Sequence, residues 1–199
     1  MRKRWIALGA VVGLGVVVHL PPVARMFAHD GSGGCPFGYG AAPRTASHHD
    51  GPSARSRPAL GLALGKARAD DVERWASDRG ATCATQHGGA LVECNAIADG
   101  ALPVTTAWFR FDVDGALASV QTTRHAVAAA PVADVLASTQ RELTEALGAP
   151  AVRSGDVASI GEGALRQASI EYRFADYRAV VRATNMRGGF LLTESYEAI

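Results

Sequence analysis

Two cysteines placed symmetrically about a glycine pair constrain this chain more than any other feature. Cys83 and Cys94 frame the stretch Cys-Ala-Thr-Gln-His-Gly88-Gly89-Ala-Leu-Val-Glu-Cys. Glycine reaches positive φ without a Cβ penalty, so Gly88-Gly89 between two β-prone runs signals a hairpin turn. Folding the chain about that pair sets 87 opposite 90 and therefore Cys83 opposite Cys94. The register is unchanged if the loop is the four residues from His87 to Ala90. The cysteines then occupy a non-hydrogen-bonded pair, where Cα atoms approach to ~4.5 Å. Both registers suit a disulfide, whose Cα atoms usually lie ~4.4–6.8 Å apart. An oxidising compartment preserves such a bond. The alternative is two buried free thiols.

The N-terminus points to that compartment. Arg2-Lys3-Arg4 precede an apolar run from Trp5 to Leu20, followed by Pro21-Pro22-Val23-Ala24. A basic flank before an apolar run marks a signal peptide or a signal anchor. From Trp5 to Ala24 there are 20 residues, close to the ~20 needed to cross a bilayer's hydrocarbon layer. Good cleavage sites are lacking, because Met26 or Pro22 falls where a small residue is wanted. Ser32-Gly33-Gly34-Cys35 also lacks the aliphatic residue of a lipoprotein signal. The reading is an uncleaved anchor over residues 1–28, with a transmembrane helix at about 5–24, rather than a cleaved peptide. Either way the positive flank stays cytoplasmic. The expected location is the bacterial inner membrane, single-pass, with the rest of the chain in the periplasm or otherwise outside the cytoplasm.

Removing Arg2, Lys3 and Arg4 from the formal net charge of +1 leaves −2 for residues 5–199, which excludes an electrostatic footprint for nucleic acid. Residues 29–57 read as a flexible Gly/Pro/Ser-rich linker, too poor in apolar side chains to offset its ordering entropy. The odd cysteine, Cys35, lies in this tether with His48 and His49, a soft-ligand set for a metal or haem. None of the spacings of a closed metal site is present, so a free thiol or an inter-protomer disulfide is the competing reading of Cys35. No cofactor is expected.

The chain becomes regular from Pro58, and 58–199 reads as one α+β domain with sub-repeats 58–125 and 130–199. Leu60, Leu62 and Leu64 alternate as a strand ending at Gly65. Asp70 to Arg79 reads as a helix, with Asp70 and Glu73 as a capping box and Val72, Trp75 and Ala76 on one face. After the cysteine hairpin comes a second one, Thr106 to Thr123, turning at Asp114-Gly115. Within it Phe109, Phe111 and Val113 share the core phase, whereas Trp108 is in phase with Arg110 and Asp112. Pro131 to Leu147 follows the 3.6-residue period, and Gly148 and Pro150 stop it. Strands at Ser169–Phe174, Arg178–Thr184 and Phe190–Tyr196 complete the pattern. The expectation is two helix-plus-antiparallel-meander units following the transmembrane helix, with helices on one face of the sheet.

Leu64-Gly65-x₆-Val72-x₂-Trp75 resembles the opening of small outer-membrane-assembly lipoproteins of the BamE type. Leu143-x₃-Leu147-Gly148-x-Pro150 is similar to the helix end in that group, and Phe109-x-Phe111-x₂-Asp114-Gly115-x-Leu117 to its hairpin. The β-lactamase-inhibitor proteins share the tandem helix-plus-meander plan. The resemblance implies a protein-binding scaffold. The chain departs from the pattern in having no Pro after Gly80 and no lipid-bearing cysteine.

Motifs for catalysis are missing from the sequence: there is no Gly-x-Ser-x-Gly, no His-Glu-x-x-His and no Cys-x-x-Cys. His87 and His125 read as solvated. Trp108, Tyr172, Tyr177 and Tyr196 lie on or beside strands, where core is the default. Trp108, opposite in phase to Phe109 and Phe111, is the best partner-contact candidate. The functional expectation is a non-catalytic, membrane-anchored protein-binding or envelope-assembly module with an envelope protein partner. The alternatives are a periplasmic small-ligand-binding protein or enzyme, and haem or metal binding through Cys35 and the tether histidines.

Overall fold

The computed structural model describes residues 51–199, which lie within one compact unit, Thr45–Ile199. The chain first forms a minimal hairpin, β1 (Pro58–Ala59) and β2 (Leu62–Ala63). Its turn is Leu60-Gly61, at φ 54° and 80°. The continuous strand expected from the Leu60/Leu62/Leu64 alternation is therefore broken, because the left-handed backbone at Leu60 reverses the chain. Helix α1 (Ala69–Ser77) buries Val72, Trp75 and Ala76. Its first turn is held by Asp71, whose carboxylate accepts the Arg68 backbone N–H at 3.0 Å, and not by the expected Asp70/Glu73 box.

Strands β3 (Thr82–Gln86) and β4 (Leu91–Ile97) form the cysteine hairpin. The loop between them is His87 to Ala90, since Gln86 pairs with Leu91. His87, Gly88 and Gly89 all take positive φ, at 51°, 65° and 97°, which two glycines make affordable. Strands β5 (Val104–Phe111) and β6 (Leu117–Ala126) follow. Here the expected core position of Val113 is corrected, because that side chain is fully exposed. Asp112 Oδ1 accepts the backbone N–H groups of Asp114 and Ala116 at 2.9 and 2.8 Å, a local turn that ends the two-residue period before Val113. Helix α2 (Ala129–Leu147) buries Val132, Val135, Leu136 and Leu143. The second half ends in β7 (Val152–Ser154), β8 (Gln167–Arg173), β9 (Tyr177–Met186) and β10 (Gly189–Ala198).

Apart from β1 and β2, all strands among the described residues join one antiparallel sheet in the order β3-β4-β5-β6-β10-β9-β8-β7. The two halves of the chain meet where β6 pairs with β10. One face is the core. A row of paired residues crosses it as Val92, Phe109, Val120, Tyr196, Ala179 and Tyr172, every one buried. Trp75 of α1 meets Phe109 edge-on with ring centroids 5.5 Å apart. The apolar side of α2 belongs to the same cluster, and its Thr144 hydroxyl bonds the Tyr172 hydroxyl at 2.8 Å. Both helices thus cover the same face.

The fold class is α+β: among the described residues, mostly one large antiparallel sheet with two helices. The transmembrane helix expected as part of it is corrected: no helix among the described residues is long and apolar enough to cross a membrane. Segment 5–24, on which that expectation rested, lies outside the described residues. From Pro52 onward the chain is tied to the fold. The Ala54 N–H and the Arg57 guanidinium bond the two oxygens of Asp176 at 2.7 and 2.6 Å. Asp176 is held below its ordinary pKa, first by that Ala54 N–H.

Candidate functional site

The strand register places Trp108 on the sheet face opposite the helices. It pairs with Glu93 of β4 on one side and Gln121 of β6 on the other. The row continues through Ser195, Val180 and Glu171, all partly exposed. The neighbouring row is a ladder of hydroxyl and amide side chains: Thr82, Asn95, Thr106, Thr123 and Thr193 on five adjacent strands. Thr106 Oγ1 donates to Asn95 Oδ1 at 2.9 Å. An alternating strand has one face to spend on the core and one on water. Here the second face carries a half-buried indole above a polar, hydrogen-bonding surface.

Toward the β8 and β9 side this face becomes charged. Glu171 accepts Arg173 Nε and Nη2 at 2.7 and 2.9 Å, and Arg178 Nε at 2.7 Å. These bonds, Arg173 first, hold the Glu171 carboxyl down at about 2. The carboxylate is therefore a fixed negative charge between two half-exposed guanidinium groups, unsuited to proton transfer near neutrality.

The other residues singled out by sequence fall as follows. Cys83 and Cys94 pair across β3 and β4 with their sulfurs at disulfide distance and their Cα atoms 4.0 Å apart, just under the usual span. Cys35, His48 and His49 lie outside the described residues. Among the described residues no group of three or more His, Cys, Asp or Glu side chains is placed to hold a metal ion. His87 and His125 are exposed. Tyr172, Tyr177 and Tyr196 are buried, and each hydroxyl has a partner: Thr144, the Pro58 carbonyl and Glu194 respectively.

Sequence reasoning missed a second site, on the helix side. A cleft of about 650 Å³ opens between α2 and the loop around Asp99, with Arg124, Glu194 and Tyr196 at its floor and Leu60 at its rim. Arg124 Nε donates to Glu194 Oε1 at 2.9 Å, and Nη2 to the Asp99 carboxylate at 2.6 Å. Its Nη1 donates to the carbonyls of Asp99 and Leu102 at 2.9 and 2.6 Å. The Tyr196 hydroxyl donates to Glu194 Oε2 at 2.7 Å. Burial opposes the charge on Arg124, but Glu194 and Asp99 more than offset it and raise the pKa above its usual value. Burial, then the Glu194 charge, pushes the Tyr196 phenol up. Arg124 therefore keeps its charge and Tyr196 its proton at neutral pH, and chemically the cluster is a clasp on the 99–102 loop.

A signal for this cluster does exist in the sequence. Arg124 stands in core phase with Val120 and Thr122, and Glu194 in core phase with Leu192 and Tyr196. A charge in the core phase of a strand needs a partner, and the two core-phase charges have opposite sign. Compared with known proteins, the chain matches no protein-family model, no curated protein and no solved structure.

Proposed function

We propose that this domain is a non-catalytic protein-binding or assembly module that acts outside the cytoplasm at the bacterial inner membrane, on an envelope protein partner. The basic and apolar N-terminal residues would deliver it there, and a cysteine pair at disulfide distance suits that compartment. One observation carries the reading. Both helices cover one face of the sheet, and among the described residues the other face bears none, with Trp108 half-buried on its third strand. Indole rings on such surfaces are frequent anchors, combining large apolar area with low entropy cost. The surrounding threonines, Glu93 and Gln121 supply the polar rim.

The test is to solubilise the full-length protein gently, capture it, and compare the wild type with Trp108→Ala. A stoichiometric protein partner that loses at least tenfold in affinity on the substitution supports the reading. Undiminished binding by Trp108→Ala overturns this face as the contact surface.

A second reading, a small-ligand carrier, is favoured by the cleft beside Arg124 and Glu194. It predicts a small molecule released on denaturing the captured protein, indifferent to Trp108→Ala.

A further inference from the structure

The sheet ends in two edges, β3 and β7, and they are built differently. Strand β7 is three residues long and includes Arg153. It runs into Gly155, at φ 71°, where a Cβ would collide with the Gln167 carbonyl. Brevity, charge and a tight kink are how exposed edges are defended against pairing. Strand β3 has none of these. Thr82-Cys83-Ala84-Thr85-Gln86 contains no charge and no proline, its pairing with β4 runs without a bulge, and all but Cys83 are exposed. No backbone hydrogen bond outside the β3–β4 ladder joins these residues to another described residue.

The register says which groups face outward. The Cys83–Cys94 Cα separation of 4.0 Å fits the close, non-hydrogen-bonded pair at ~4.5 Å and not the bonded pair at ~5.5 Å. The Phe111 N–H bonds the Ala90 carbonyl, so even-numbered residues of this strand face β5 and odd-numbered ones face β3. Thr82, Ala84 and Gln86 consequently bond β4. Cys83 and Thr85 turn their N–H and C=O groups away from the sheet.

Those outward groups are self-complementary. In an antiparallel pair of β3 strands, bonded positions must join outward residue to outward residue. The register using all of them sets Cys83 opposite Thr85 of a second copy, with Ala84 opposite Ala84 on the two-fold axis. That axial position is the close, non-bonded one, and alanine is the smallest residue of the strand. No charge meets itself. The nearest like charges on the open face, Glu93 and its copy, stand three strand spacings apart, ~14 Å, beyond the ~8–10 Å screening length.

We propose that β3 is a self-docking edge: two copies of this chain pair antiparallel through Thr82–Gln86 about Ala84, joining their sheets into one. The proposal concerns the edge and is independent of what binds the open face. Such a contact is small and of the weak class of interfaces, so it is tested by trapping. The full chain carries Cys35→Ser, to remove the third cysteine, and Ala84→Cys, and is oxidised in its native membrane and run without reductant. The expected result is a disulfide-linked species of twice the chain mass that reductant dissolves. Adding Thr85→Pro removes only an outward N–H, leaves the β4 ladder intact, and should lower the dimer yield at least tenfold. Two controls accompany it: Val127→Cys in place of Ala84→Cys, also exposed but distant, should stay monomeric, and a thermal melt should show the Thr85→Pro variant folded. A monomeric Ala84→Cys chain, or a yield unmoved by Thr85→Pro in a folded protein, overturns the proposal. So does trapping of a different protein by Ala84→Cys, which assigns the edge to a foreign strand.

Discussion

Arg124 of β6 and Glu194 of β10 form a buried ion pair across the seam where the two halves of the chain meet, 2.9 Å from Nε to Oε1, with side-chain exposures of 4% and 1%. The pair is completed by Asp99 and Tyr196, so neither charge is left without hydrogen bonds.

Removing one member strands the other. Arg124→Met should cost about 3–5 kcal/mol, because Glu194 then stays buried without its counter-charge. Arg124→Met with Glu194→Leu should recover most of that loss. Urea unfolding of the three proteins measures both. A single variant within about 1 kcal/mol of the parent would show that the pair is solvated.

The cysteine hairpin gives a second prediction. Closing a loop of sequence separation 11 restricts the unfolded chain by about 3 kcal/mol on the loop-entropy model. The Cys83→Ala, Cys94→Ala variant should lose roughly that amount under oxidising conditions. In reductant the parent should fall to a similar stability. Equal stabilities in both conditions would mean that the thiols remain unbonded.

Glu171 gives a pH dependence. Its carboxyl falls from 4.5 to about 2 in the folded protein, so the pair stabilises above pH 4.5 and this contribution fades as pH drops from there to 2. The full shift corresponds to about 3 kcal/mol. Arg173 and Arg178 are nearly half exposed, and solvent screening reduces this to about 1 kcal/mol. Glu171→Gln should be less stable than the parent by that amount at pH 7 and equal to it near pH 2. A gap that persists unchanged at pH 2 would assign the effect to packing.

Neighbouring aromatics on β5 should respond unequally. Phe109 is wholly buried, and Phe109→Ala should cost about 3–5 kcal/mol. Trp108 faces the other way, and Trp108→Ala should cost about 1 kcal/mol or less. Thermal melts of the two variants distinguish them, and similar losses would refute the assignment of faces.

Local signals made much of this fold readable. The glycine pair and its flanking cysteines specify a hairpin and its register, and the 3.6-residue period marks both helices to within a turn. Signals failed where the determinant was distant or unusual. Val152-Arg153-Ser154 is too short to show a period and becomes β7 only by pairing with β8. Val113 kept the alternation of Phe109 and Phe111 but lost its place to the Asp112 turn. Trp108's outward face followed from phase alone. The Arg124–Glu194 clasp needed knowledge that β6 and β10 are neighbours, and no local pattern carries a pairing of residues 70 apart in sequence.

The strand order also bears on how the chain is made. Among the described residues, β10 comes last of the ten strands in sequence, yet it is a central one, bonded to β6 and β9 at once. During synthesis the first half can zip its own hairpins, yet one flank of β6 waits for residues 189–198 to emerge. The Arg124 guanidinium waits with it, solvated, for the arrival of Glu194. Without residues 189–198 the sheet would thus lack its middle, leaving β6 and β9 each with an unsatisfied edge where β10 otherwise pairs with both.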